Sequence, residues 1–291
     1  MTLNNAADML SYDQAVAIVI QAAKNIDLGV ESVLSAEANG RIVACDIVSA
    51  VDLPPFNKSA MDGYAVADVC DTYRLIETVP AGVVPKLPLS PGCATKVMTG
   101  APVPQGATRV IRVEYTRIEN DLIVIENPER SANICPQGED ARIGDVVIQA
   151  PAVIGPAEIA NLAACGVESA TVYNRPAVGI ISTGDEIVSS TRDLLPGKIM
   201  DVNSPMLKAL CQSWQLAASG SWLVGDDPQE TTDAVSQALD ASDIVVISGG
   251  VSMGDWDFVP EAMRSAGLDI HFTRLAVKPG RPMTFASREG N

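Results

Sequence analysis

Apolar residues change their spacing along the chain, and each spacing predicts a different kind of element. In residues 11–26 they recur every three or four positions, which predicts an amphipathic helix with Ser11 as its cap. In residues 40–51, β-branched side chains predict a strand that runs into the proline-rich turn at residues 53–56. We place the first domain boundary at that turn.

Short β-rich runs separated by Gly and Pro occupy the next part of the chain. They cover residues 64–66, 96–98, 109–113 and 122–125. Short strands with frequent turns predict a small all-β domain. Beyond it, Pro156 and Gly166 have the positions expected for the first turn and the end of a helix.

From Pro176 onward, continuous apolar strands alternate with amphipathic helices. The strands are predicted at residues 177–182, 221–225 and 243–248, and the helices at residues 205–214 and 228–239. This alternation predicts a parallel sheet with helices on both faces. Because ligands bind at the carboxyl ends of parallel strands, we expect the loops at residues 182–188, 224–228 and 248–257 to face one crevice.

We therefore expect an α/β and β multidomain protein. Its N-terminal α+β scaffold would comprise residues 1–53 and 138–175, interrupted by a small β domain at residues 54–137. A doubly wound, three-layer α/β domain would occupy residues 176–291.

Composition and charge narrow the functional classes. Hydrophobic residues make up 47% of the chain and charged residues 19%, as in globular proteins, while aromatic residues make up only 4%. Small aliphatic cores of this kind suit α/β architecture. The net charge of −16 repels nucleic acid and anionic membrane surfaces, so neither is expected as a partner.

The numbers and spacing of histidine and cysteine exclude further classes of functional site. His271 is the only histidine, which rules out sites with several imidazoles in one chain and leaves one ring for any Ser-His-Asp triad. The six cysteines are widely spaced without a CxxC pair, which predicts buried, reduced thiols. Residues 1–10 lack a basic leader, and no apolar run reaches the roughly 18 residues of a membrane span. We expect a cytoplasmic protein.

The loop at residues 248–257 carries the first candidate chemistry. It follows a buried strand, and Gly249, Gly250 and Gly254 permit close approach of a phosphate to the backbone. The loop matches neither the P-loop nor the Rossmann glycine spacing, so a simple tight turn stays an alternative.

Carboxylates crowd the same strand ends, namely Asp185, Glu186, Asp226, Asp227, Asp255 and Asp257. Mg2+ prefers such oxygen ligands and would bridge them to phosphates. Helix capping is the alternative explanation for Asp226, Asp227 and Asp255.

A cationic stretch lies near residue 280. Residues 272–288 contain four basic residues and no acidic one, and Lys278 and Arg281 flank a Pro-Gly turn that would present both to an oxyanion. Arg274 and Arg288 are better explained as solvated surface residues. Earlier in the chain, Asp62 precedes Gly63, and this pair taken alone favours a hairpin turn.

Taken together, these segments resemble the molybdopterin molybdenumtransferases, the MoeA family that includes the gephyrin E domain and its plant counterpart. The similarity runs from the first helix to residue 291, and the motifs occur in the family's order: PPFNKSAMDGYAV, MTGAPVPQGA, GED, STGDEIV, DVNSPML, GDDP, SGGVSMGDWDF and VKPGRP. The resemblance implies Mg2+-dependent insertion of molybdate into adenylylated molybdopterin, with release of AMP and the molybdenum cofactor.

The resemblance also implies a shared active site. Asp62, Thr99 and Asp140 resemble residues that the N-terminal domains offer across a homodimer. Asp62 and Thr99 of one chain would complete the site formed by the loop at residues 249–257 of the other. The adenylyltransferase that makes the pterin substrate is a further candidate partner.

Roles for residues of the α/β domain follow from the same match. The carboxylates implied to act in the site are Glu186, Asp227 and Asp257, and the last two are implied to bind Mg2+. The loop implied to cradle the pterin phosphates contains Ser248, Gly249, Gly250, Ser252 and Gly254. The basic pair implied to hold molybdate is Lys278 and Arg281.

Departures from the family pattern leave alternatives open. Arg281 replaces the second lysine of KPGKP with a planar donor that still suits an oxyanion, and residues 134–137 replace basic residues before GED. The chain ends at Asn291, before the family's Leu-Pro-Gly-Asn-Pro segment and C-terminal β domain, so we expect a truncated α/β domain. A pterin-binding or scaffold protein without turnover is therefore the alternative function. Nucleotide transfer, as in the related adenylylating domain, is disfavoured by the MDGYA segment.

Overall fold

The computed structural model describes residues 9–128, 130–250 and 258–288. These residues divide into two compact units. The β unit is Val30–Tyr173, and the α/β unit combines the described residues before and after it. The three-part division expected from the sequence stays a prediction.

Helices and strands occur in both units. The helices are α1 (Tyr12–Ala23), α2 (Pro156–Ala164), α3 (Asn203–Ser213), α4 (Pro228–Ala241) and α5 (Val259–Ser265). The strands of the β unit are β1 (Val30–Leu34), β2 (Ile47–Val48), β3 (Lys58–Ser59), β4 (Gly63–Val66), β5 (Thr72–Val79), β6 (Cys93–Val97), β7 (Arg109–Arg112), β8 (Thr116–Glu119), β9 (Leu122–Ile125), β10 (Ile134–Cys135), β11 (Val146–Ile148) and β12 (Ser169–Tyr173). Those of the α/β unit are β13 (Ala177–Thr183), β14 (Ile187–Val188), β15 (Ile199–Met200), β16 (Ala217–Val224), β17 (Ile244–Ser248), β18 (Asp269–Arg274) and β19 (Pro282–Ser287).

Helix α1 begins with the predicted cap. The Ser11 amide donates to Gln14 Oε1 at 2.8 Å, and the Gln14 amide donates to Ser11 Oγ at 3.3 Å, which forms a reciprocal capping box. Ala15 of the helix is buried together with Phe272 and Leu275. The first helix therefore packs within the α/β unit, against the segment that contains β18.

The β unit is dominated by a six-stranded sheet in the order β7-β4-β6-β5-β9-β8. The four predicted runs are strands of this sheet, which confirms them. The sequence pattern missed β5, where Tyr73 and Val79 are the buried residues of an eight-residue strand. The apolar residues of β5 lie at positions 73, 75, 76 and 79, so apolar and polar residues do not alternate regularly along it.

The predicted strand at residues 40–51 is wrong over most of its length. Ile42 and Val43 form isolated bridges to Val153 and Val172, and within the segment only β2 is a regular strand. Because successive residues pair with different partners, no continuous ladder forms.

The α/β unit is built on a parallel sheet in the order β16-β13-β17. Side chains of the central strand β13 alternate between two cores, since Ile180 packs with Cys211 of α3 and Ile181 packs with Val235 of α4. Helices therefore cover both faces of the sheet, as the alternating pattern predicted. β18 and β19 form a separate antiparallel pair.

The parallel strands end at one edge of the sheet. In register, Ser182 of β13 lies beside Ser248 of β17, and Thr183 lies beside Val224 of β16. The turns that follow these strands therefore start side by side, as expected. Residues 251–257, the greater part of the third loop, lie outside the described residues.

Among the described helices, none is long and apolar enough to cross a membrane. All six cysteines are free, but only Cys165 and Cys211 are buried. The expectation of buried thiols is thus confirmed for two of them and wrong for Cys45, which is exposed.

Candidate functional site

The turn after β17 requires glycine at two positions. Gly249 (φ +100°) and Gly250 (φ +60°) adopt backbone conformations that L side chains rarely take. A Cβ on Gly249 would lie 2.4 Å from the carbonyl oxygen of Thr183, and one on Gly250 would lie 2.5 Å from Cγ2 of Val259. The turn is therefore packed closely against its neighbours, while Gly249 itself stays exposed.

The hydroxyl of Thr183 lies against this turn. Thr183 is 5% exposed, and its Oγ1 has no hydrogen-bond partner among the described residues. A Cβ on Gly249 would approach that oxygen to 2.6 Å. Because an unsatisfied buried hydroxyl costs about 1–3 kcal/mol, packing alone would favour valine here.

A polar network connects the start of α3 with the ends of β13 and β17. Asp201 Oδ1 accepts hydrogen bonds from the amides of Asn203 (3.1 Å) and Ser204 (3.0 Å) and so caps α3. Ser204 Oγ lies 2.8 Å from Ser182 Oγ, and Asn203 Nδ2 donates to Ser248 Oγ at 2.7 Å. This cap explains why α3 begins two residues before the predicted start at residue 205.

The environment of Asp201 favours its ionised form. Burial raises the pKa of Asp201, but hydrogen bonds from Ser204, Asn203 and Ser182 together outweigh burial and hold the pKa below its ordinary value. The resulting negative charge at the N-terminus of α3 also interacts favourably with the helix dipole. The network is therefore anchored by a charged cap.

Asp185 and Asp226 tie together the turns that follow β13 and β16. The Asp226 amide donates to Asp185 Oδ1 at 3.1 Å, and the Asp185 amide donates to Asp226 Oδ2 at 3.4 Å. Lys198 Nζ donates to the carbonyl oxygen of Asp185 at 2.5 Å. Glu186 follows directly, and its carboxylate lies over Gly184.

Asp227 caps α4. Its Oδ1 accepts hydrogen bonds from the amides of Gln229 and Glu230, each at 2.8 Å. The helix-capping explanation is therefore confirmed for Asp227, whereas Asp226 bonds to Asp185 instead. Within residues 9–128, 130–250 and 258–288, no group of three or more Asp, Glu, His or Cys side chains could hold a metal ion.

Several predicted site residues lie outside the described residues. They are Ser252, Gly254 and Asp257, and the same holds for Asp255. Lys278 and Arg281 are described, and both are exposed on the turn between β18 and β19. A backbone hydrogen bond from Leu275 to the Arg281 carbonyl oxygen closes that turn at 2.9 Å.

The β unit brings Asp62 and Thr99 together. Asp62 Oδ1 accepts hydrogen bonds from the Thr99 amide (2.6 Å) and the Thr99 hydroxyl (2.7 Å). The Thr99 amide and hydroxyl hold the pKa of Asp62 below its ordinary value. The hairpin expected at Asp62 is wrong, because β3 pairs with β10 while β4 pairs with β6 and β7.

Asp140 has a different setting in the same unit. Its amide donates to the Leu53 carbonyl oxygen at 2.8 Å, and the residue lines an open groove of about 590 Å³ with Asp145 and Asn161. In the described part of the chain, no hydrogen bond joins Asp140 to Asp62 or Thr99. The structure thus joins two of the three residues predicted in the N-terminal part.

Family models cover most of the chain. Residues 10–166 match the MoeA N-terminal region (domain I and II), and residues 179–290 match a probable molybdopterin binding domain. The chain therefore belongs to the MoeA family.

Individual relatives agree with this assignment. A molybdopterin molybdenumtransferase from Nostoc sp. is 36% identical over 86% of this chain and 60% of its own length, and one from Staphylococcus epidermidis is 33% identical over 92% and 65%. A crystal structure of a molybdopterin biosynthesis MoeA protein from Pyrococcus horikoshii matches with a TM-score of 0.79 at 32% identity, over 96% of this chain and 72% of that one. The chain spans less than two thirds of the length of these curated relatives.

Sequence reasoning assigned no role to Asp201, Asn203, Ser182 or Thr183. Asn203, Ser182 and Thr183 are ordinary polar residues in or next to apolar runs, and each contacts residues that are distant in sequence. The signal for Asp201 was available, since Asp is among the residues preferred around a helix start.

Replacement of Gly249 by alanine should destabilise the α/β unit strongly. Gly197→Ala is the matched control, because Gly197 has φ +91° but a Cβ at that position would meet no atom within 4 Å. Backbone strain should lower the free energy of unfolding of Gly197→Ala by about 1–3 kcal/mol. Overpacking against Thr183 should lower that of Gly249→Ala by about 1–3 kcal/mol more. Urea unfolding measures both free energies, and equal losses would contradict the close packing of the turn.

Removal of the Thr99 hydroxyl should raise the pKa of Asp62. Thr99→Val deletes one of two hydrogen bonds to the carboxylate while the amide bond remains, so the pKa should move part of the way to its ordinary value. Since the folded-state pKa is lowered, the stabilisation is present above the ordinary pKa and is lost as the pH falls through the lowered value. Carbon-13 NMR titration of the Asp62 carboxyl measures the change, with exposed Thr72→Val as the control. An unchanged pKa in Thr99→Val would refute the role of the hydroxyl.

Proposed function

We propose that this chain acts in the insertion of molybdate into adenylylated molybdopterin, with release of AMP and the molybdenum cofactor. The observation that carries the proposal is the Ser248–Gly249–Gly250 turn at the carboxyl edge of the parallel sheet. Gly249 of this turn is exposed, and the edge is where ligands bind in such sheets. Membership of the MoeA family gives the turn its substrate class.

Carboxylates at the same edge of the sheet are suited to Mg2+. One oxygen of Asp227 caps α4, and the other has no hydrogen bond among the described residues. Such hard oxygen donors fit Mg2+, and we propose Asp227 with Asp257 as its ligands. When bound, Mg2+ would neutralise charge on the substrate diphosphate.

Lys278 and Arg281 are the proposed molybdate pair. Both cations are exposed on one turn, so they can contact a single oxyanion. Arg281 supplies a planar set of donors and Lys278 a compact charge. Their proposed role is to hold molybdate and to stabilise its charge. Glu186 is the proposed further carboxylate of the site.

A homodimer is proposed to complete the site. In this arrangement Asp62 and Thr99 of one chain serve the α/β unit of the other, with Asp140 as a third contributor. The bonds from Thr99 support such a role for Asp62, because they keep an exposed carboxylate ionised and fixed in direction. The adenylyltransferase that makes the substrate is the proposed protein partner, and the cytoplasm is the proposed location.

The proposal predicts AMP release by the purified chain supplied with adenylylated molybdopterin, molybdate and Mg2+. Lys278→Ala should slow release by about a hundredfold, as expected for removal of a group that stabilises charge in a transition state. Lys208→Ala removes an exposed lysine of α3 and should have no effect. Absence of AMP from a folded chain, or equal rates in the two variants, would reject the assignment.

The shared site predicts complementation between inactive chains. Asp62→Ala and Glu186→Ala dimers should each lose activity, but with free subunit exchange about half of the dimers are mixed and each keeps one intact site, so about a quarter of the activity should return. The AMP assay before and after mixing measures the recovery. If the variants exchange subunits and recover nothing, each active site is formed by a single chain.

A further inference from the structure

The hydrogen bond between Asn203 and Ser248 has a defined direction. Asn203 Nδ2 donates to Ser248 Oγ at 2.7 Å, and an amide nitrogen cannot accept in return. Ser248 Oγ is therefore the acceptor, and its own proton remains to be donated. Among the described residues, that hydroxyl makes no further hydrogen bond.

Hydrogen bonds at the start of α3 hold Asn203 in place. The backbone amide of Asn203 donates to Asp201 Oδ1, the charged cap of α3. The hydroxyl of the neighbouring Ser204 contacts that of Ser182, which is fully buried in β13. The register pairing of Ser182 with Ser248 fixes the two strand ends relative to each other. The carboxamide thus reaches Ser248 from a helix start that is tied to the same sheet.

Ser248 directly precedes Gly249, which is exposed. A hydroxyl proton released from internal bonding at this point is suited to a phosphate oxygen, since hydrogen bonds to charged acceptors are stronger than those between neutral groups. If Ser248 instead donated to an internal partner, it would offer only lone pairs to an anionic ligand and would repel it.

We propose that Asn203 is a positioning residue, which occupies the acceptor lone pair of Ser248 and so directs the Ser248 proton to a phosphate oxygen bound at the Ser248–Gly250 turn. The inference rests on the proposed function, because that function supplies the phosphate. It adds a residue that contacts no substrate and acts through Ser248.

Binding of ADP, measured by calorimetry with Mg2+ present, tests this role. ADP carries the adenosine diphosphate group that adenylylated molybdopterin also contains. Ser248→Ala should weaken binding about tenfold, as expected for one hydrogen bond to a charged acceptor, and Asn203→Ala should weaken it about three- to tenfold. In the double variant, Asn203→Ala should add less than about a twofold loss, because its effect passes through the hydroxyl that is already removed.

Cys211→Ala is the matched control. It alters the same helix and removes a buried contact with Ile180 rather than one with Ser248, so it should lower the unfolding temperature while ADP affinity stays unchanged. If Asn203 had only a structural role, Asn203→Ala would likewise lower the unfolding temperature and leave the ADP affinity unchanged. Should that variant fail to fold, Asn203→Asp keeps the shape, replaces the donor by an acceptor for the Ser248 proton, and should weaken ADP binding at least as much.

The outcomes separate the two proposals. Wild-type affinity in Asn203→Ala or Asn203→Asp, or losses that multiply in the double variant, overturns the positioning role and leaves the proposed function intact. A wild-type chain that binds no ADP overturns the phosphate site, and the positioning role with it.

Discussion

The parallel pairing of β13 with β16 and β17 is the constraint on which the α/β unit depends. Both faces of β13 are covered, with Ile180 and Ile181 completely buried on opposite sides. Burial of each such side chain is worth about 1.5–3 kcal/mol, and a shift by one residue would move every side chain of the strand into the opposite core. The fixed register then determines which residues stand together at the carboxyl edge.

That edge contains groups that packing alone would not select. Thr183 keeps a buried hydroxyl where valine would pack equally well, and Gly249 and Gly250 hold backbone conformations that lower the stability of most sequences. Local choices that oppose stability concentrate at functional sites, because elsewhere they are removed by selection for folding. The edge of the sheet therefore combines a buried, unsatisfied hydroxyl with two glycines that a larger residue could not replace without strain.

The sequence predicted the elements whose patterns are local. Capping by Ser11, the apolar run of β13 and the glycines after β17 each depend on neighbours within a few residues, and each is present. Segment 40–51 has the composition of a strand, but its partners lie far away in sequence, such as Val153 opposite Ile42. The Asn203–Ser248 bond spans 45 residues, so only the folded sheet reveals it. Asp62 was recognised through family resemblance, because its Thr99 partner lies 37 residues away.

Charge poses the remaining physical problem, because a chain with a net charge of −16 is proposed to bind a diphosphate and molybdate. The carboxylates near the strand ends are in large part engaged by backbone amides: Asp201 and Asp227 each accept two, and Asp185 and Asp226 accept one from each other. Amide dipoles directed at these oxygens reduce the negative potential that an approaching anion meets. The acidic residues at the strand ends therefore shape the edge through these bonds, and the positive charge that the proposed substrates require would come from groups such as the exposed Lys278 and Arg281.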